Sequence, residues 1–239
     1  MYEIRNSDLD YFMKNIYEPK FSRNFGGMRT PDMFSLFFIL KKINPKIVIE
    51  SGVHNGWSTL LIRKTLGKNV KIISIDPKNI AKGGYVDNNI NTIYYTGDDF
   101  IDFNDLDISN LDTNDIFCFF DDHINAFERL KQCIDKNIKH ILFNDNYPIN
   151  VGGFYSLEHY IKNDNTFYSV SEKEREIIDK LIDIYHIFPN IFKSIIPFNE
   201  GNAECEYIYE NMDSPGASKY YIFFKDKSKY TFNTYVKLH

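Results

Sequence analysis

Cysteine is scarce in this chain, and its spacing carries no motif. Cys118, Cys133 and Cys205 form no CxxC pair, so they read as free thiols, two of them buried, in a reducing compartment. No apolar run reaches membrane-spanning length, and the opening MYEIRNSDLDYF is too polar for a signal peptide. A basic excess is also lacking: 28 Lys and Arg stand against 33 Asp and Glu, giving a net charge of −5. With an isoelectric point near 5.7, that balance argues against a nucleic-acid backbone as the main partner. There is no internal repeat or low-complexity tract. The expectation is a cytoplasmic protein with neither a membrane nor a nucleic-acid partner. Its 239 residues, 43% of them hydrophobic, suffice for one large α/β domain or a domain with a lid.

What is present is organised around Lys46 to Asp76. Lys46 to Glu50 is a short β-branched run, Gly52 and Gly56 punctuate a loop, Trp57 to Leu66 has helical spacing, and Val70 to Ile75 leads to Asp76. This is the layout of a βαβ unit in a parallel sheet. In such units a ligand lies over the carboxyl ends of the strands, against glycines and the free N–H groups of a helix N-terminus. Asp76, at the tip of the second strand, is placed to accept hydrogen bonds from two ribose hydroxyls, so the ligand is expected to carry a nucleoside. The dinucleotide fingerprint G-x-G-x-x-G is absent; the loop reads Glu50-x-Gly52-x-x-x-Gly56, and its acidic start suits a cationic ligand.

That loop resembles motif I of the class I S-adenosylmethionine (SAM) methyltransferases, E/D-x-G-x-x-x-G followed by a strand ending in an acid. The resemblance implies SAM as cofactor, held by Glu50, Gly52, His54, Asn55, Gly56, Ser58 and Asp76.

Along the chain, residues 1 to 24 form an aromatic and charged arm. Thr30 can cap a helix from about Pro31 to Ile43, with Pro31 and Asp32 suited to its first turn. Gly26-Gly27-Met28 is either the entry turn of that helix or a loop folding over the cofactor, which adds Gly27 and Met28 to the candidate binding set. Asn91 to Tyr95 reads as a third strand. The turn after it contains Gly97 and Asp98, with Asp98 either an acceptor for the adenine amino group or part of a capping cluster. Residues 101 to 115, acidic and rich in asparagine, read as a solvated surface segment.

Two further strands end in polar clusters. Asp115 to Phe120 runs into Asp121-Asp122-His123, a helix follows from about Asn125 to Lys136, and Lys139 to Phe143 runs into Asn144-Asp145-Asn146-Tyr147-Pro148. In a parallel sheet both endings fall on one edge, beside the glycine loop. Carboxylates and an amide oxygen gathered there make a hard-oxygen ligand set fit for Mg²⁺ or Mn²⁺, and a cation relieves the mutual repulsion of the acids. The bland alternative is that the same residues only cap the helices that follow.

FFDDH and FNDNYP are similar to the strand-end D-H and D-N elements of catechol-type, metal-dependent O-methyltransferases. The layout also looks like that of the cephalosporin-hydroxylase-like proteins and macrolide-sugar O-methyltransferases. The resemblance implies Asp122, Asp145 and Asn146 as metal ligands, Asp122 and His123 as catalytic residues, and Asp121 on the cofactor side. The doublet Asp121-Asp122 leaves the register open by one, as does the choice between Asn144 and Asn146. The catechol enzymes carry a lysine base where this chain has Asn125, so His123 is the candidate base, its reference pKa suiting proton transfer near neutrality.

The resemblance further implies a Rossmann-like, doubly wound α/β sheet of seven strands in the order 3-2-1-4-5-7-6, the last antiparallel. Past Pro148, a short aromatic helix is expected over Tyr155 to Asn165. A capped helix is expected from Ser171 through Tyr185, and a closing hairpin from Tyr220 to Phe224 and Tyr230 to Val236. One domain is expected over 1 to 239, with an arm at 1 to 30 and a helical lid inserted at 150 to 215 between strands five and six. The expected activity is methylation of a small polar acceptor, a sugar hydroxyl or phosphate-type oxygen of surface-polysaccharide or secondary-metabolite synthesis. At most a second copy of the chain is expected as protein partner. A nicotinamide-dependent dehydrogenase and a non-catalytic binding module are the alternatives.

Overall fold

A computed structural model describes residues 4–21, 24, 26–147, 155–163, 169–188, 190–192, 207–209 and 233–239. Its elements are α1 (Asn6–Asn15), α2 (Thr30–Ile43), β1 (Ile47–Ser51), α3 (Trp57–Leu66), β2 (Lys71–Asp76), β3 (Thr92–Thr96), β4 (Ile116–Phe120), α4 (Ala126–Asp135) and β5 (His140–Phe143). They continue with α5 (Leu157–Ile161), α6 (Glu172–Leu181), β6 (Ile182–Ile187), the short pair β7 (Asn190–Phe192) and β8 (Tyr207–Tyr209), and β9 (Thr234–Leu238).

Seven strands form one sheet in the order β3-β2-β1-β4-β5-β9-β6. Counted along the sheet's own strands this is 3-2-1-4-5-7-6, and β9 is antiparallel to both β5 and β6 while the first five strands are parallel. The expected topology is therefore present. β1 and β4 are buried along nearly all their length, IVIES and IFCFF, as central parallel strands covered on both faces should be. One core packs α1, α2 and α3 against Val48, Ile72, Phe117 and Leu142. The other packs α4, α5 and α6 against Ile49, Ile73, Cys118 and Ile141. Strand alternation sends consecutive residues to opposite layers, and this is the double winding. Cys118 and Cys133 are free and buried, and Cys205 lies outside the described residues.

Four local expectations are revised. The helix expected through Tyr185 stops at Leu181, and Ile182–Ile187 is the sixth strand. Its apolar residues satisfy both periods, and pairing with β9, from Ile182 opposite Leu238 to Ile187 opposite Thr234, decides for the strand. Tyr220 to Phe224 lies outside the described residues, so β9 finds its edge partner inside the segment expected to form the lid; of that segment, 150–154, 164–168, 189, 193–206 and 210–215 are also outside them. Thr30 does not cap α2; it is the first helical residue, and Asp32 accepts the Arg29 N–H at 3.1 Å instead. Residues 101 to 115 are not merely solvated: Phe103, Leu106 and Ile108 are buried in the second core.

Candidate functional site

The glycine loop is shaped by close backbone approaches. Gly52 has φ +95°, and a Cβ there would lie 2.2 Å from the Asp121 carbonyl oxygen, so glycine is what lets the end of β4 cross the end of β1. Gly56 has φ +76° and faces the Tyr85 carbonyl oxygen in the same way, 2.0 Å from where a Cβ would stand. The Tyr85 segment is stapled down by Arg63, whose Nε donates to Asp87 at 2.7 Å and whose Nη2 donates to Thr92 at 2.8 Å. Tyr85 also stacks on Trp57 and donates its backbone N–H to the Asn55 carbonyl at 2.9 Å.

Asp76 stands at the tip of β2 as expected. One carboxylate oxygen accepts the N–H groups of Val53 and His54 at 2.9 and 3.0 Å, and the other accepts that of Lys78 at 2.8 Å. It therefore holds the loop in shape. A Cβ at Gly27 would lie 3.2 Å from the His54 ring, and Asn24 links Asn55 to the Met28 carbonyl, so the turn 26–28 rides on the glycine loop. The Met28 side chain itself is in the core beneath α2, which leaves only its backbone on the loop side. Gly97 (φ +60°) makes room for Asn79, and Asp98 is exposed in the turn at the end of β3.

Glu50 is fully buried. Its Oε2 accepts from Thr59 at 2.6 Å and Ser74 at 3.0 Å, while Oε1 has no hydrogen-bond partner among the described residues. Burial, only partly offset by the hydroxyls of Ser58, Thr59 and Ser74, pushes the carboxyl from 4.5 up to about 7. A carboxyl raised on folding contributes its stability below its unfolded pKa and loses it as pH rises through the folded value. Glu50→Gln is therefore expected to flatten the fall in stability between pH 5 and pH 8, measured as urea midpoints.

At the ends of β4 and β5 the structure separates the two aspartates of the doublet. Asp122 is neutralised: its Oδ2 accepts from Ser51 at 2.6 Å and from Arg129 Nε at 3.0 Å, with Arg129 Nη2 2.9 Å away. Arg129 is buried between Asp122 and Asp102, beneath Phe103 and Phe120. Asn146 is also consumed. Its amide nitrogen donates to Tyr185 and Thr234, and its oxygen accepts the Glu158 N–H. Asp122 and Asn146, two of the three ligands implied by the resemblance, are thus engaged in hydrogen bonds within this chain.

The residues that converge are Asp121, Asn144 and Asp145, with His123. Asn144 Nδ2 donates to Asp121 at 2.8 Å and lies 3.4 Å from Asp145 Oδ1, while its buried Oδ1 has no partner among the described residues. Burial, then repulsion from Asp145, holds the Asp121 carboxyl well above the usual range. His123, in the left-handed region at φ 58° and half exposed, places Nδ1 2.5 Å from Asp145 Oδ2, which raises the imidazole's pKa. The Tyr147 hydroxyl also bonds Asp145, and Asp32 of α2 adds negative potential at Asp121 and Tyr147. Asp121, Asp122, His123, Asn144 and Asp145 line a cleft with Phe120, Ile124, Phe143 and Tyr155.

This donor set fits an oxophilic divalent ion: two carboxylates that repel one another and an amide oxygen left without a donor, three oxygens with water to complete the shell. Among the described residues no three His, Cys, Asp or Glu side chains cluster to bind a metal, so Asn144 is essential to the fit. Sequence reading left the choice between Asn144 and Asn146 open and assigned no role to Tyr147, although both lie in FNDNYP. Arg129 carried no signal, and Asp32 was legible only as an acid of the helix's first turn, not as a neighbour of the site.

No protein-family model matches this sequence, and no curated protein matches it. Solved structures similar to it include a Mg–SAM form of cmcI, 16% identical with a TM-score of 0.44, over 77% of this chain and 79% of that one. A methyltransferase from Geobacter sulfurreducens is 14% identical with a TM-score of 0.41, over 71% of this chain and 92% of its own. The O-methyltransferase from Bacillus cereus in complex with SAH is 14% identical with a TM-score of 0.35, over 74% and 77%. At such distances the strand order and the site of this chain carry the reading. The chain has the seven-stranded, Rossmann-like fold expected of a class I methyltransferase.

Proposed function

We propose that this protein is a SAM-dependent O-methyltransferase acting on a small polar acceptor, with a divalent cation at the acceptor oxygen. One observation carries the reading: the glycine loop with Asp76 and the cluster Asp121, Asn144, Asp145 and His123 share one sheet edge, joined by the contact of Gly52 with Asp121. Bound SAM supplies an electrophilic methyl group on a sulfonium. Asp76 would accept the ribose hydroxyls, and the loop and the first turn of α3 would hold the rest of the cofactor. Asp121, Asp145 and the Asn144 oxygen would hold the cation, which would supply positive charge to lower the pKa of an acceptor hydroxyl. His123, its charged form favoured by Asp145, holds the proton that leaves the acceptor.

The acceptor class we favour is a sugar hydroxyl or phosphate-type oxygen in surface-polysaccharide or secondary-metabolite synthesis, in keeping with the resemblance to macrolide-sugar enzymes. A non-catalytic module is the second reading, because Gly52 and Gly56 are each explained by a neighbouring carbonyl without any ligand. Calorimetric titration with SAM, SAH and NAD⁺ separates these readings and the dehydrogenase. SAM and SAH are expected to bind and NAD⁺ is not. Asp76→Ala is expected to weaken SAH by about 1.5–3 kcal/mol through lost charged hydrogen bonds. Unchanged affinity in the folded variant would remove Asp76 from the cofactor site.

A further inference from the structure

Among the described residues Glu50 has no counter-charge. The groups that act on it are the hydroxyls of Ser58 and Thr59 from α3, Ser74 and Asp76 from β2, and the Tyr94 hydroxyl from β3; its register partner on β4 is Phe119. None of these is a cation. The three hydroxyls are neutral donors, and Asp76 adds repulsion. An ionised carboxylate buried this way is costly, and a positive charge arriving at the loop two residues further on is what would lower the cost.

We propose that Glu50 is a specificity-determining residue that favours a sulfonium ligand in the glycine loop over its neutral thioether product, releasing its proton to solvent when the cation binds and regaining it when the charge is gone. The inference rests on the methyl-donor reading of the loop. It also requires no new contact, because Glu50 lies behind the loop and acts through space. Its carboxyl, raised by burial to about 7, is poised for this exchange at neutral pH. The consequence is product release: once the methyl group has left, the loop no longer holds the sulfonium charge, and Glu50 favours exchange of SAH for fresh SAM.

The test is calorimetry of the whole protein with SAM and with SAH at pH 7, each in two buffers of different ionisation enthalpy. SAM is expected to release about half a proton more from Glu50 than SAH does. The amine of each ligand titrates alike against parent and variant, so the part of the proton release lost in Glu50→Gln belongs to Glu50. The preference for SAM over SAH is expected to fall at least several-fold in that variant. Unchanged proton release and preference in a Glu50→Gln protein that binds both ligands would overturn the proposal. Should the variant not fold, ¹³C NMR of parent protein labelled at glutamate side-chain carboxyls reads Glu50 directly and excludes Asp121. A signal that ionises with SAM and not with SAH supports the proposal, and one that behaves identically with both overturns it. Failure of both ligands to bind the parent defeats the methyl-donor reading itself.

Discussion

Arg129→Leu is expected to lose about 3–5 kcal/mol of stability, the cost of leaving buried carboxylates without their cation. The Arg129 side chain is 3% exposed and Asp122 is 10% exposed, so water cannot replace the guanidinium at that pair. Asp102 is 35% exposed and adds less, although the Arg129 hydrogen bonds hold its carboxyl below the usual range. The loss should also reach the site, because Asp122 ties Ser51 of β1 to the end of β4. Urea unfolding at several pH values checks this in a specific way. In the variant Asp102 loses the Arg129 hydrogen bonds that hold its carboxyl low, so the deficit should shrink as pH falls into the ordinary carboxylate range. Adding Asp122→Asn should recover part of the loss at pH 7, since it removes the uncompensated charge. Arg129→Lys should rescue poorly, because one ammonium cannot span two carboxylates as the planar fork does. A deficit independent of pH and of Asp122 would mean that packing against Phe103 and Phe120 dominates.

The same arginine shows where a sequence is legible and where it is not. Between Lys46 and Asp76 every level agrees: β-branched strands, two glycines at positive φ, a helix starting after Gly56, and an acid at the second strand's tip. The β4 and β5 endings were equally plain as strand ends. How the two aspartates of the doublet, both of which line the cleft, are partnered was not, because the decision is made seven residues later, where Arg129 on α4 claims Asp122 and leaves Asp121 to Asn144. Likewise Asn146 could be placed only once Tyr185 and Thr234, on β6 and β9, were known to converge on it. The α6–β6 boundary was hidden for a related reason: Ile178, Leu181, Ile182 and Tyr185 suit a helix until the edge of β9 offers them a ladder. Residues 101 to 115 looked solvated by composition, yet three apolar side chains among the acids were enough to bury the segment.

The largest effects on activity are expected at Asp121 and Asp145. Asp121→Asn and Asp145→Asn should each lower methyl transfer by about 10²-fold or more, since each removes a charge from the cation's oxygen set while keeping its shape. Stability should move the other way. The two carboxylates repel and burial opposes the Asp121 charge, so either amide should leave the fold as stable at pH 7 as the parent, or more so. Asp122→Asn is the control from the same doublet: it should reveal itself chiefly as lost stability, through Arg129. His123→Ala separates proton transfer from cation binding, with a rate loss of about 10²- to 10⁴-fold while Mn²⁺ still binds. Activity should fall with EDTA and return with Mg²⁺ or Mn²⁺, and SAH should bind throughout, because the contacts proposed for it lie on β1, β2 and α3. A helix-capping role for these acids predicts the reverse pattern, with stability falling and turnover per folded molecule unchanged. Full turnover in metal-free buffer, with Asp145→Asn as active as the parent, would establish capping and a metal-independent mechanism.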